Sequence, residues 1–216
     1  MNVKMLRLGA ANRVTEAVLN SGEASGMMSS ARIFYLPGFS LSLEQQLVQR
    51  FVAEGSSEGK MLIINLSAEF ICLKYKNLLT ELASKASYIF GNNKELRAFA
   101  TASGFHSGLQ DDFERIRWFL NNPLKDADRL KAVVITRAER SVIIGTKTEV
   151  REVSVPSLDP QLIRDTNGAG DAFVGGFIAA LVREDSVAQC VLAAISVAQT
   201  VLKTPGCCFN NLSDAS

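Results

Sequence analysis

From about residue 31 onward, short apolar runs alternate with segments whose apolar positions recur at helical spacing. "ARIFYLPG" (31–38) is a compact run of β-formers closed by Pro-Gly. "SLEQQLVQRFVAEG" follows it, with Leu43, Leu47, Val48 and Phe51 at helical intervals. "GKMLIINLS" reads as a second buried strand, "NLLTELASKA" as a helix and "SYIFG" as a third strand. "NKELRAFATASG" and "DDFERIRWFLNN" read as helices. "KAVVITRAERSVIIGTKTEVREVSV" (131–155) holds three short strands with polar turns, and two helices close the pattern, over 170–182 and about 186–202.

Short apolar strands separated by helices predict βαβ units. The expected fold is therefore α/β, a mostly parallel sheet with right-handed crossovers and helices on both faces. "NSGEASGMMSS" (20–30) is rich in Gly and Ser and is expected to be flexible. The residues before 31 lack the strong apolar strand that usually opens such a domain, so its true start is expected to be missing. The expected division is a remnant of a lid or linker over 1–30 and an α/β core over 31–216.

The bulk numbers narrow the function. The chain has 216 residues, 47% hydrophobic and 21% charged, with a formal net charge of +1. That balance supplies no clustered basic face for nucleic acid. No apolar run approaches the ~20 residues of a membrane-spanning helix, and the N-terminus has no signal-type stretch. Cys72, Cys190, Cys207 and Cys208 form no C-x-x-C pair, and His106 is the single histidine, which argues against zinc and against a disulfide framework. Reduced thiols in the cytosol or nucleus are the simplest reading.

The candidate chemistry lies late, in "RDTNGAGDAFVGGF" (164–177). Gly168 and Gly170 can take backbone angles that let successive N–H groups point into one concavity, and a helix starting there adds its positive end. Asp171 then sits in the first helical turn. Its structural reading is a carboxylate complementing the helix dipole. Its catalytic reading is a general base acting on a hydroxyl that attacks a phosphoryl group held by the loop. A P-loop would need a following Gly-Lys-Ser/Thr, a dinucleotide fingerprint would need glycine where Phe173 stands, and a nucleophile elbow would need G-x-S-x-G. Phosphoryl transfer and a structural helix cap both remain open on residue chemistry alone.

"DTNGAGDAFVGGF" resembles the signature of the ribokinase-type superfamily of sugar and nucleoside kinases. "AAN" (10–12), "YLPGFSLS", "NLSAEF", "IFGNNKE" and "TPGCCF" resemble its adenosine kinase branch, in order and at compatible spacing over nearly the whole chain. The resemblance implies phosphorylation of adenosine to AMP by ATP, in purine salvage, with Mg2+ as cofactor and K+ as a candidate monovalent ion. It implies Asp171 as the base for the nucleoside 5′-hydroxyl, with Gly168, Ala169 and Gly170 as the anion hole and Asn167 in the same loop. Asn92 and Glu95 match an N-x-x-E motif that places Mg2+ and phosphate, Glu95 acting indirectly, though the same spacing also suits a helix N-cap with Glu at N3. Thr136 falls at the nucleotide side. Phe39 and Phe70 match aromatic positions lining the adenosine pocket, where plain core packing is the other reading. Asn65, Ser67 and Asn12 are further substrate-side candidates. Asp165 and Thr166 match positions associated with monovalent-cation support.

This sequence departs from the pattern in three places. Judged from where the matching motifs start, roughly the first third of the family's length is expected to be absent, and with it the ribose-gripping residues, N-terminal strands and most of the lid. A lid arginine expected before "AAN" aligns with Asn2, with Arg7 and Arg13 out of register. The T-x-G after the "VVIT" strand reads Thr136-Arg137-Ala138, and an alanine there weakens the nucleotide site if the backbone needs positive φ. Two rivals to an active adenosine kinase follow: an inactive shortened chain serving as a binding module, and a sugar kinase of the same superfamily. A monomer is expected, with a free sheet edge available for association.

Overall fold

The computed structural model describes residues 14–105, 111–122, 124 and 127–206. Their elements run α1 (Glu16–Leu19), α2 (Gly22–Ser30), β1 (Ile33–Pro37), α3 (Gln45–Gly55), β2 (Met61–Asn65), α4 (Glu69–Lys74), α5 (Lys76–Lys85), β3 (Tyr88–Asn92), α6 (Asn93–Ala102) and α7 (Asp112–Asn121). They continue with β4 (Ala132–Thr136), β5 (Ser141–Gly145), β6 (Val150–Ser154), α8 (Ala169–Val182) and α9 (Val187–Leu202).

The six strands form one sheet in chain order. β1 to β4 pair in parallel, with Pro37 opposite Asn65, Asn65 opposite Phe90 and Asn92 opposite Thr136. β4, β5 and β6 are joined by connections too short for a crossover, so they run antiparallel. Those turns are closed by Arg137 N–H to the Ser141 carbonyl and by Thr146 N–H to the Glu149 carbonyl, each 2.8 Å. The expected α/β architecture, mostly parallel, is what the chain forms.

By compactness the chain divides into Met1–Thr136 with Ile143–Arg151, and Arg137–Val142 with Glu152–Ser216. In the first unit the strand residues alternate faces. Phe34, Leu36, Leu62, Ile64, Ile89, Val133, Ile135 and Ile143 join one apolar cluster with Val48 and Val52 of α3, Leu79 and Leu82 of α5, Phe99 of α6 and Phe119 of α7. The alternate residues Ile63, Tyr88, Phe90, Val134 and Ile144 are buried as well. A sheet buried on both faces explains why its strands read as near-continuous apolar runs. Arg129, in the approach to β4, donates to the carbonyls of Ser56, Ser57 (2.8 Å) and Lys60 (2.7 Å), pinning the turn between α3 and β2.

In the second unit α8 and α9 pack together. A Cβ on Gly176 would lie 3.0 Å from the Ala194 Cα, so glycine there permits the close approach of the two backbones. Ser186 and Gln189 form a capping box at the start of α9, and the Gln199 amide donates to the Pro156 carbonyl at 2.6 Å.

Two helices go beyond what the periodicity predicts. The 20–30 stretch contains a helix, α2, because Ser21 accepts from the Ala24 N–H at 3.2 Å as N-cap, Glu23 sits in the first turn, and Ala and Met favour the helix over the glycines. No residue of α2 is buried. "EFICLK" also forms a helix, α4, whose unbroken apolar run predicts no period. Among the described residues no helix is long and apolar enough to cross a membrane.

Candidate functional site

Parallel pairing brings the C-terminal ends of β1 to β4 to one edge, where open α/β sheets bind ligands. Four segments emerge there: Gly38–Phe39, Asn65–Phe70, Asn92–Glu95 and Thr136. They belong to the first unit.

The first two segments are locked together. The Gly38 N–H donates to the Ser67 hydroxyl at 2.8 Å, and that hydroxyl donates to the Asn65 carbonyl at 3.2 Å. The Asn65 side-chain carbonyl accepts from the Ser67 N–H at 3.2 Å, while its amide donates to the Tyr35 hydroxyl at 3.3 Å. Ser67 has φ of +65°, the left-handed region, held by these bonds. A Cβ on Gly38 would meet the Leu66 carbonyl at 2.6 Å and the Asn65 carbonyl at 2.8 Å. Ser67 therefore ties two loops, a role that its pairing with Gly38 across 29 residues hid from the sequence.

Phe39 and Phe70, the two aromatic candidates, come together at this edge with ring centroids 6.2 Å apart and planes tilted by 42°. Phe39 packs on the main apolar cluster. Phe70, on α4, is 51% exposed, which plain core packing would not leave. The pair makes a half-open apolar wall.

Asn92 and Glu95 form a full capping box on α6. The Asn92 side-chain carbonyl accepts from the N–H groups of Lys94 (2.9 Å) and Glu95 (3.0 Å). The Glu95 carboxylate accepts from the Asn92 N–H at 2.9 Å and from its side-chain amide at 2.7 Å. Glu95 is only 6% exposed, so the helix-cap reading of N-x-x-E is realised in full. The Thr136 hydroxyl donates to the Gly91 carbonyl at 3.4 Å.

The glycine loop belongs to the second unit. Gly168 takes φ of +77° as the N-cap of α8 and has no side chain to cap it. The first intrahelical bond runs from the Ala172 N–H to the Gly168 carbonyl at 2.8 Å, so the amides of Ala169, Gly170 and Asp171 precede the helical ladder. Asp171 is exposed in that first turn. Asp165 braces the loop: its carboxylate accepts from the Asn167 N–H at 2.9 Å and from the Gly206 N–H at 3.3 Å. Thr166 and Asn167 are exposed. Ala138 has φ of +53°, the left-handed angle that glycine would take without strain.

Among the described residues no group of three or more His, Cys, Asp or Glu could hold a metal. Mg2+ nevertheless fits a single carboxylate such as Glu95, because it keeps several waters and takes the rest of its oxygens from phosphates. Asn12, with Asn2, Arg7 and Arg13, lies outside the described residues, as do His106, Cys207 and Cys208.

A family model for the pfkB family of carbohydrate kinases matches residues 4–214. Adenosine kinase 2 of Arabidopsis thaliana is 30% identical over 208 residues, 96% of this chain and 59% of that protein. The crystal structure of Anopheles gambiae adenosine kinase with P1,P4-di(adenosine-5) tetraphosphate superposes with a TM-score of 0.84 at 34% identity, covering 93% of this chain and 59% of that one. Schistosoma mansoni adenosine kinase with 2-fluoroadenosine gives 0.87 at 25% identity, covering 97% and 61%. The chain thus spans about three-fifths of the length of the relatives it matches.

Proposed function

Because the chain belongs to the pfkB family of carbohydrate kinases, we propose that it is an adenosine kinase, forming AMP and ADP from adenosine and ATP and so returning a purine nucleoside to the nucleotide pool. The observation that carries this reading is the αL Gly168 opening a 14-residue helix with Asp171 exposed in its first turn. Asp171 accepts the 5′-hydroxyl proton, the freed oxygen attacks the γ-phosphorus of ATP, and the bond to the departing ADP oxygen breaks. The amides at Gly168, Ala169 and Gly170 offer donors to the charge that builds on the transferred group. Asn167 shapes the loop, and Asp165 and Thr166 support it, with a monovalent cation such as K+.

On the sheet edge, the Phe39–Phe70 wall favours a substrate bearing a flat base over a bare sugar. Asn65 faces the same edge, with Ser67 and Gly38 fixing its loop. Asn92, Glu95 and Thr136 form the phosphate side. Bound Mg2+ would neutralise the ATP phosphates there, and Glu95 would hold it through water. The cytosol or nucleus, where ATP is abundant and thiols stay reduced, suits a monomeric enzyme of this kind.

The test is AMP formation from adenosine, ATP and Mg2+. Asp171→Asn should lower kcat by about two to four orders of magnitude, as loss of a general base does. Equal turnover by both proteins would overturn the role of Asp171. No AMP from a folded chain that still binds ATP would favour the non-catalytic reading, which the partial span of the relatives keeps in play, and faster turnover of ribose would favour a sugar kinase.

A further inference from the structure

The outer face of α4, in the first unit, carries a pattern of its own. Ile71 and Cys72 turn inward and are buried, while Glu69, Phe70, Leu73 and Lys74 are exposed. Phe70 and Leu73 keep 51% and 58% of their surface open. Side chains three apart on a helix are neighbours, so these two form one apolar patch and not two scattered residues.

The charges are placed around that patch. At 3.6 residues per turn, counted from Glu69, Leu73 lies at about 40° around the helix, Phe70 at about 100° and Lys74 at about 140°. The apolar pair thus sits in the middle, with an acid on one flank and a base on the other. Five residues apart, Glu69 and Lys74 do not face each other on their own helix. Among the described residues neither enters an ion pair, and the Lys74 ammonium lies 5.1 Å from the centre of the Tyr75 ring.

Such a face is complementary to itself in one orientation. When two copies of a helix lie parallel across a two-fold axis, apolar residues three apart meet their own counterparts along the seam. An acid on the flank of one helix then faces a base five residues further along the other. Glu69 and Lys74 have that separation and lie on those flanks. An antiparallel pair would instead bring acid beside acid and base beside base.

We propose that α4 is a self-association surface whose occupant is the α4 of a second copy of this chain. Phe70 and Leu73 pack on their counterparts, and Glu69 of each copy pairs with Lys74 of the other. The proposal does not depend on the kinase reading. One six-residue helix covers far less than the ~800 Å2 per partner of a standard interface. The pair is therefore transient, with a dissociation constant on the order of 0.1 mM, and the free chain is the main form at low micromolar concentration.

Sedimentation equilibrium of the full chain across about 0.01–1 mM tests this, and a monomer–dimer equilibrium is expected. Phe70 is left in place, because it also forms the aromatic wall. Glu69→Lys and Lys74→Glu should each weaken association about tenfold, since either change makes both ion pairs repulsive. Leu73→Ala should weaken it about tenfold as well, through lost apolar burial. The double swap Glu69→Lys with Lys74→Glu should restore the parent constant. Mixing the two single-swap proteins should also restore association, because one brings two cations to the seam and the other two anions. Either restoration shows at the same time that the variants are folded. No dimer at the top of the range, single swaps that associate as strongly as the parent, or a double swap and a mixture that stay as weak as the single swaps would overturn the proposal.

Discussion

Replacing Gly38 by alanine tests whether the two loops at the strand edge are held as one piece. The added methyl would sit 2.6 Å from the Leu66 carbonyl oxygen, 2.8 Å from that of Asn65 and 3.1 Å from the Ile71 Cγ2. Unstrained contacts of this kind run to about 3.3 Å or more. The two oxygens are backbone and cannot rotate away, so one loop must move by several tenths of an ångström. Overpacking of this sort costs about 1–3 kcal/mol. The shift also stretches the 2.8 Å bond from the Gly38 N–H to the Ser67 hydroxyl, whose loss adds about 0.5–1.5 kcal/mol. A destabilisation of about 1.5–4.5 kcal/mol follows from the sum. Urea unfolding measures it: the midpoint should fall while the m-value holds, since the compactness of neither end state changes. Under the proposed function, adenosine binding by calorimetry should weaken in parallel, because Phe39 is the next residue. A variant with the parent midpoint and the parent adenosine affinity would refute the reasoning, and loss of stability without loss of binding would detach Gly38 from the ligand.

Three further outcomes are expected. Ala138→Gly should raise stability by about 0.5–1 kcal/mol, because relief of left-handed strain of about 1–2 kcal/mol exceeds the extra unfolded-chain entropy of glycine; differential scanning calorimetry reads the shift. Asn92→Ala removes a cap that serves two N–H groups and should cost about 1–2 kcal/mol in urea, with a further loss of ATP affinity if this end of α6 holds phosphate. Burial, reinforced by Glu69 and Glu95, pushes the Cys72 thiol up to about 12 from 9.0. The unfolded chain then loses this proton first, so stability is full below pH 9 and declines as the pH rises toward 12; Cys72→Ala should flatten that part of a urea-midpoint profile.

The strands were legible because both faces of the sheet are buried, so runs such as "MLIIN" and "AVVIT" carry few polar interruptions. The Asn92–Glu95 box was legible because both partners lie within one helical turn. Helix α4 was missed because six residues with Phe70, Ile71, Cys72 and Leu73 in a row give no readable period. Helix α2 was misjudged because glycine and serine content outweighed a local Ser21 cap. The Ser67–Gly38 link could not be read at all, since it joins residues distant in sequence through a conformation that serine rarely takes. What sequence conveys well here is periodicity and local capping; what it conceals is which hydroxyl meets which amide once the strands are side by side.

Arg129 carries a consequence for the order of folding. The turn between α3 and β2 is local, yet three of its carbonyls are satisfied by a guanidinium about 70 residues downstream. Until the segment before β4 docks, those carbonyls must stay hydrated, and the turn is only half-made. A link of such long sequence separation forms late, after the loop-closure entropy has been met. Its removal should therefore leave the refolding rate nearly untouched and quicken unfolding, which makes Arg129 a latch on the lifetime of the native state and not a guide on the way to it.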